Sequence, residues 1–171
     1  MDRDGVLNHE KYQDYVYNYD EFVFYDGVKE AMKLLAERFG LILITTNQKG
    51  VGKGLMTEAD LQDIHHRMTQ EIAAAGGRID KIYYCTSTDN NHPNRKPNPG
   101  MAKDAQKDFP AIDLQKALIV GNNISDMEFG RNAGMHTVFV KTTHPQQPLP
   151  HPAIDLAVDD LPTFAKALHL G

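Results

Sequence analysis

The stretch Leu41-Ile-Leu-Ile-Thr-Thr46 is a run of apolar and β-branched residues, which predicts a strand buried on both faces. Four further segments have the same character, at residues 79–85, 117–121, 136–141 and 155–158. Helical patterns of apolar residues separate them, at residues 28–39, 57–76, 99–108, 125–132 and 161–168. Strands that alternate with helices predict a mostly parallel central sheet with helices on both faces, which is a Rossmann-like, three-layer α/β fold.

Length, charge and cysteine content limit the class of protein. The 171 residues suit a single domain, and with a net charge of −5 and no basic cluster nothing points to nucleic acid or an anionic membrane surface, so we expect neither as a partner. Cys85 is the only cysteine, which excludes an internal disulfide and fits a reducing compartment. No apolar run reaches the ~20 residues of a membrane span, and no signal peptide precedes Asp2. We therefore expect a monomeric cytoplasmic protein that acts on a small molecule.

Two carboxylates lie two residues apart in Met1-Asp-Arg-Asp-Gly-Val-Leu-Asn8. In an extended segment alternate side chains point the same way, so Asp2 and Asp4 would face one point, and Gly5 allows a sharp turn after them. Such a pair suits covalent phosphoryl transfer, because one carboxylate can attack while the other moves a proton. The alternative is an acidic turn without chemistry.

The end of the first predicted strand carries polar side chains. Thr46, Asn47 and Gln48 precede the glycine-rich segment Lys49-Gly-Val-Gly-Lys-Gly54, and ligands of open α/β sheets bind beyond the carboxyl ends of strands. Hydroxyl, amide and backbone N–H donors there would suit a phosphate. The segment lacks the Gly-Lys-Ser/Thr ending of a Walker loop, so a plain strand–helix connection is an equal alternative.

Two later segments offer a cation and oxygen ligands. Lys96 precedes a proline-restricted turn in Asn94-Arg-Lys-Pro-Asn-Pro-Gly-Met101, and it either leans over an anionic centre or is a solvated surface lysine. Asn122 and Asp126 follow the strand at 117–121 and could bind a metal through oxygen. The alternative for this segment is a helix N-terminus capped by Ser125.

Taken in order, these segments resemble the four motifs of the haloacid dehalogenase superfamily. The resemblance is closer to its histidinol-phosphate and heptose-bisphosphate phosphatase branch, and it covers residues 2 to about 140. The matching segments are Asp2-Arg-Asp-Gly-Val-Leu-Asn8, Phe24-Tyr-Asp-Gly-Val28, Thr46-Asn-Gln-Lys-Gly50, Arg95-Lys-Pro-Asn-Pro-Gly-Met101 and Ser125-Asp-Met127.

The resemblance implies a role for each matching residue. Asp2 is similar to the nucleophile that forms an aspartyl-phosphate, and Asp4 to the acid/base that protonates the leaving oxygen and then activates water. Thr46 and Lys96 match the hydroxyl and ammonium that hold the phosphate. The residues that match neighbouring substrate contacts are Asn47 and Arg95.

The resemblance also implies a magnesium ion, held by the Asp2 carboxylate, the Asp4 backbone carbonyl and a carboxylate of the fourth motif. The cation would offset the repulsion between an anionic nucleophile and an anionic phosphate. Here the fourth motif has Asn122 in place of the usual Asp, so the site loses a negative charge and should bind metal more weakly. We expect Asp126 to compensate, directly or through a water.

Two other features depart from the branch. Its members often bind zinc before the Lys-Pro motif with three Cys and one His, whereas this chain has Cys85, Ser87, His92 and Asn94 at those positions. Two ligands do not make a tetrahedral site, so we expect no structural zinc. The family also places Asp2 after a central apolar strand, which Met1 alone cannot supply. We therefore expect one domain over residues 1–171, with its first strand missing upstream of Asp2.

The sequence thus predicts a capless, magnesium-dependent phosphatase that hydrolyses a small phosphate monoester through an aspartyl-phosphate. Segments after the first two motifs are too short for a cap domain, so loops such as 9–19 and 85–94 would set the specificity. A sugar phosphate such as heptose 1,7-bisphosphate is the first candidate, and histidinol phosphate is the second. A catalytically degenerate phosphate-binding or interaction protein is the competing class, suggested by Asn122 and the missing strand.

Overall fold

The computed structural model describes residues 1–170 and contains five strands and six α-helices within them. The strands are β1 (Leu43–Asn47), β2 (Lys81–Cys85), β3 (Leu118–Gly121), β4 (His136–Val140) and β5 (Leu156–Val158). The helices are α1 (Val28–Arg38), α2 (Lys49–Gly52), α3 (Glu58–Ala74), α4 (Gly100–Asp108), α5 (Ile124–Ala133) and α6 (Leu161–Leu170). Every predicted strand and helix is present to within two residues at each end, while α2 was not predicted. Within residues 1–170, no helix is both long and apolar enough to cross a membrane.

All strand pairings are parallel. β1 pairs with β2, and β3, β4 and β5 form a second group in that order, with Ile44 opposite Ile82 and Val120 opposite Val138. Parallel strands place their carboxyl ends at one edge, so the polar residues after β1 and β3 lie on the same side of the molecule.

Alternating strand residues divide the core into two layers. Ile44 and Val120 join the cluster that contains the buried faces of α1, α3 and α6. Tyr83, Ile119 and Phe139 join the cluster on the other face, which contains residues of α4 and α5. Because both faces of the strands are covered by helices, the three-layer α/β fold predicted from the sequence is confirmed.

Met1 and Asp2 connect the two groups of strands. The Met1 amino group donates to the Leu43 carbonyl at 2.7 Å, and the Thr45 N–H donates to the Met1 carbonyl at 2.9 Å. On the other side, the Asp2 N–H donates to the Val120 carbonyl at 2.9 Å. These bonds have the character of a strand that lies between β1 and β3 for two residues only.

Below Met1, an apolar gap separates β1 from β3; we call it the strand slot. It forms a cavity of about 160 Å³. Side chains from both strands and from helices on both sheet faces line it, among them Leu35, Leu43, Ala105, Leu118, Val120 and Phe164. The gap lies next to Met1, at the position predicted from the sequence for a strand that leads into Asp2.

The glycine-rich segment after β1 forms the short helix α2 and the two residues that follow it. The Gly50 Cα lies against the Tyr15 ring, and Gly52 lies against the Thr86 carbonyl so closely that any side chain would collide with it. Close packing therefore accounts for Gly50 and Gly52, and the segment serves as a strand–helix connection.

Candidate active site

The carboxyl ends of β1 and β3 open into a polar cavity of about 180 Å³. Six of the residues predicted for the site line this cavity, namely Asp2, Asp4, Thr46, Asn47, Lys96 and Asp126. The chain thus brings together side chains from distant segments, because each follows or precedes a strand end on the same edge of the sheet.

Asp2 is fixed at this edge by the backbone bond to β3. It is 8% exposed, and its Oδ1 accepts hydrogen bonds at 2.9 Å from the Arg3 N–H and from Lys96 Nζ. Burial, together with the nearby Asp126 carboxylate, raises the pKa of Asp2 to about 6, although Lys96 opposes the shift. Asp2 is therefore a carboxylate at neutral pH, held in place and paired with a cation.

Lys96 lies inside the site and not on the surface. Its ammonium contacts Asp2 Oδ1 at 2.9 Å, Asp126 Oδ1 at 2.6 Å and the Thr45 carbonyl at 2.7 Å. Burial lowers the pKa of Lys96, but the carboxylates of Asp126 and Asp2 raise it more, so it lies above its usual value. The alternative of a solvated lysine is wrong, and the ammonium is available to an anion beside Asp2.

Both carboxylate oxygens of Asp126 accept hydrogen bonds from other groups of the protein. Its Oδ1 binds Lys96, and its Oδ2 accepts from the N–H groups of Asn122 and Asn123, at 3.2 and 3.1 Å. It lies in the first turn of α5, whose N-cap is Asn123 and not Ser125. A metal role for Asp126 stays a prediction, since neither oxygen is free in this arrangement.

Asp4 is surrounded by donors. The Arg3 guanidinium donates from Nη2 to both carboxylate oxygens, at 2.8 and 3.0 Å. Asn8 Nδ2 and Gln48 Nε2 each donate at 2.9 Å. Burial raises the pKa of Asp4, but Arg3 and the hydrogen bonds lower it further, so the net shift is downward. The resting Asp4 is thus a carboxylate, the form that accepts a proton.

A histidine lies behind the arginine. Arg3 is 0% exposed, and its Nη1 lies 3.1 Å from Nε2 of His65 on α3. Burial, followed by the charge of Arg3, lowers the pKa of His65 to about 3. His65 is therefore neutral at pH 7, and its Nε2 can accept from Arg3 and fix the plane of the guanidinium.

Of the three remaining residues predicted to contact the substrate or its phosphate, Thr46 and Asn47 line the cavity and Arg95 does not. Thr46 Oγ1 accepts from Gln48 Nε2 at 2.9 Å and faces the cavity. The Asn47 amide donates to the Lys96 carbonyl at 3.1 Å and accepts from the Lys96 N–H at 3.0 Å, so it holds the lysine segment. Arg95 is not among the cavity-lining residues, and its Nε donates to Asn90.

Asn122 is completely buried at the end of β3. Its amide lies against Gly5, its Nδ2 donates to Thr143 Oγ1 at 2.8 Å, and its Oδ1 has no hydrogen-bond partner among residues 1–170. A buried acceptor without a partner is costly, and a hard cation would satisfy it. The orphaned oxygen, the Asp2 carboxylate and the Asp4 carbonyl are a donor set that fits magnesium.

Hydrogen bonds hold the loop at residues 85–94, in which we expect no zinc. His92 Nδ1 accepts from the Asn94 N–H at 3.1 Å and lies 3.6 Å from Cys85 Sγ. Within residues 1–170 there is no group of three or more His, Cys, Asp or Glu side chains arranged to hold a metal. The absence of zinc stays a prediction.

Several site residues were missed from the sequence. Arg3 lies between the two aspartates, Glu10 lines the cavity, and Thr143 in the loop after β4 accepts a hydrogen bond from Asn122. Gln48 was noted as a strand-end donor but was not assigned to Asp4. For Arg3, the sign was its place beside two carboxylates; for Glu10 and Thr143 the sequence carries no periodic signal.

Comparison with known proteins gives one family and a consistent set of relatives. The family model described as HAD-hydrolase-like matches residues 93–163. The D-glycero-alpha-D-manno-heptose-1,7-bisphosphate 7-phosphatase of Campylobacter jejuni is 36% identical over 140 residues, covering 82% of this chain and 79% of that protein. The D-glycero-beta-D-manno-heptose-1,7-bisphosphate 7-phosphatase of Photorhabdus laumondii is 32% identical over 181 residues, covering 98% and 93%.

A solved structure has the same fold over nearly its whole length. The D,D-heptose 1,7-bisphosphate phosphatase of B. bronchiseptica, complexed with magnesium and phosphate, superposes with a TM-score of 0.89 at 29% identity. The match covers 99% of this chain and 96% of that one.

Proposed function

This chain belongs to the haloacid dehalogenase-like hydrolases, and from that premise we propose that it hydrolyses a phosphate monoester of a small sugar. Heptose 1,7-bisphosphate is the first candidate substrate, because the relatives above are named for it. The observation that carries the proposal is the pairing of Asp2 and Asp4 in one cavity with the Lys96 ammonium against Asp2. A degenerate phosphate-binding protein would need neither carboxylate.

In the first step, an oxygen of the Asp2 carboxylate attacks phosphorus and the bond from phosphorus to the sugar oxygen breaks. The leaving oxygen takes a proton from the protonated form of Asp4. The water of the second step restores this form in each cycle, and before the first turnover the proton comes from solvent. Lys96 and the Thr46 hydroxyl lie where they can hold the phosphoryl oxygens as charge shifts between them.

In the second step, Asp4 accepts a proton from water, and the water oxygen attacks phosphorus of the aspartyl-phosphate. The bond between phosphorus and the Asp2 oxygen breaks, which restores the carboxylate and releases inorganic phosphate. The five donor contacts from Arg3, Asn8 and Gln48 favour the carboxylate form of Asp4 and so suit this step.

We propose magnesium as the cofactor. The Asp2 carboxylate, the Asp4 backbone carbonyl and the Asn122 side-chain oxygen would hold it, and the unpartnered Asn122 Oδ1 supports this assignment. When bound, the cation would offset the repulsion between the nucleophile and the substrate phosphate. Asn47 and Arg95 remain proposed substrate contacts.

The same proposal covers the oligomeric state, the cellular location and the partner of the protein. We propose a monomeric enzyme of a single domain, which a length of 171 residues suits, and a cytoplasmic location, since the single cysteine fits a reducing compartment. Its partner is a small phosphorylated metabolite.

A substrate panel tests the function. We expect purified protein with magnesium to release phosphate from heptose 1,7-bisphosphate faster than from histidinol phosphate or other phosphorylated metabolites. Chelation of magnesium should stop the release. If no phosphate monoester is hydrolysed at any magnesium concentration, the proposed function is wrong.

A further inference from the structure

The magnesium site proposed above lacks one negative charge at the end of β3. Asn122 supplies a neutral amide oxygen, which satisfies a cation's preference for oxygen but not its preference for charge. Asp126, the nearest carboxylate in sequence, has one oxygen on Lys96 and the other on two backbone N–H groups. Both Asp126 oxygens thus already accept hydrogen bonds within the protein, so a further carboxylate beside Asn122 would add negative charge, whereas the charge of Asp126 is shared with Lys96.

Glu10 is a carboxylate that reaches the Asn122 side chain from the loop at residues 9–19. Its Oε2 is 3.4 Å from Asn122 Nδ2, and its side chain lines the cavity that holds Asp2 and Asp4. Three other carboxylates of the cavity are paired with a cation, since Asp4 has Arg3 and both Asp2 and Asp126 have Lys96. Glu10 has no such ion pair among residues 1–170. Glu10 accepts a hydrogen bond from the nitrogen of the Asn122 amide, and the oxygen of the same amide is buried without a donor. A positive ion next to this amide would satisfy the free oxygen and would be balanced by the unpaired Glu10 carboxylate.

We propose that Glu10 provides the carboxylate charge of the magnesium site that Asn122 lacks. The inference rests on the proposed function in placing magnesium in this cavity. It assigns Glu10 to cation affinity, whereas the nucleophile and the acid/base remain Asp2 and Asp4. The loop that begins at His9 thereby contributes to metal binding as well as to the cavity wall.

Magnesium titration by calorimetry, without substrate, tests the assignment in four proteins. They are the unmodified chain, Glu10→Gln, Asn122→Asp and the double variant. Loss of a group that hydrogen-bonds to a metal ligand typically weakens metal binding by about 10- to 100-fold, and Glu10 accepts from Asn122, so we expect Glu10→Gln to raise the magnesium Kd by roughly tenfold or more. Asn122→Asp should lower the Kd and make the further change Glu10→Gln less damaging.

A matched control is Asp14→Asn, which removes a carboxylate from the same cavity and the same loop. Asp14 accepts from the Tyr17 hydroxyl and is not near Asn122 in the hydrogen-bond network, so its removal should leave the Kd unchanged. The rise in melting temperature on adding magnesium provides a second readout in each variant, and the melting temperature without magnesium shows that the fold is intact.

A Kd for Glu10→Gln within twofold of the unmodified protein would overturn the proposal. So would an equal loss of affinity when Glu10→Gln is added to the unmodified chain and to the Asn122→Asp variant, because Glu10 would then not be replacing the missing charge. Failure to bind magnesium at all would overturn the proposal and the metal assignment together. Failure to hydrolyse sugar phosphates, with the four Kd values as expected, would overturn only the proposed function.

Discussion

At the scale of single residues, two side chains hold the Asp4 carboxylate in place: Arg3 contacts it directly, and His65 contacts Arg3. Arg3 binds both Asp4 oxygens, and neutral His65 accepts from the other end of the guanidinium. A buried arginine is costly unless its donors are satisfied. His65 therefore contributes to stability in its neutral form and positions the arginine that faces Asp4.

Stability should depend on pH through His65. Its folded-state pKa of about 3 lies below the ordinary value of 6.5, so between these values the unfolded chain binds the extra proton. The free energy of unfolding should then rise with pH across this window, by up to about 1.4 kcal/mol per pH unit, and level off above it. Urea denaturation at pH 4.5 to 7.5 measures the slope.

The control is His65→Gln, whose side-chain oxygen can still accept from Arg3 but does not titrate. Because other carboxylates titrate equally in both proteins, the difference between the two curves isolates the histidine. The unmodified protein should lose stability more steeply than His65→Gln as the pH falls from 6.5 to 4.5. Parallel curves would contradict the assignment of a neutral, buried His65.

Sequence spacing predicted Asp2 and Asp4 on one side, and the place of Arg3 between them was the one sign of its contact with Asp4. In an extended segment the residue between them points away, yet Arg3 folds back onto Asp4 because the chain turns at Gly5. Its partner His65 is 62 residues further along the chain. Contacts of that kind depend on tertiary packing and not on local pattern.

The strand slot is the feature that matters most at the scale of elements. Parallel strands are normally buried on both faces and bonded on both edges, and β1 and β3 share only the short bridge of Met1 and Asp2. The apolar side chains that line the slot would be covered by a strand that leads into Met1. We propose that the slot accepts one apolar strand.

Extension of the chain ahead of Met1 tests it. Five residues drawn from Val, Ile and Leu would bury apolar surface at ~25 cal/mol per Å², which amounts to several kcal/mol. We expect the melting temperature to rise by roughly 5 °C or more, and phosphatase activity to rise with it because Asp2 is held more firmly. An extension of five Gly and Ser residues is the control.

Equal melting temperatures for the apolar and the Gly/Ser extensions would show that the slot does not accept a strand.

The regular elements themselves were predictable, since β1 to β5 are apolar runs and the helices have clear apolar faces. Helix α2 was not, because two of its four residues are glycines and packing against Tyr15 and Thr86 decides their conformation.

At the scale of the whole molecule, the fold explains why scattered motifs form one site. Each motif follows or adjoins a strand end, and parallel pairing collects those ends at one edge. The order of the motifs was therefore enough to predict the cavity and six of its lining residues. Glu10 was not predicted as a site residue, because its contact with Asn122 depends on the path of a loop that no periodic pattern describes. The role predicted for Arg95, whose Nε donates to Asn90, stays a prediction.

The central claim is that Asp2 is the nucleophile, and one measurement tests it most directly. Steady-state phosphate release from heptose 1,7-bisphosphate should fall to the uncatalysed background in Asp2→Asn, because a neutral amide cannot form the phosphoryl bond. The amide can still accept from Lys96 and the Arg3 N–H, so the melting temperature should show a folded protein. Near-normal phosphate release by folded Asp2→Asn would contradict the covalent mechanism.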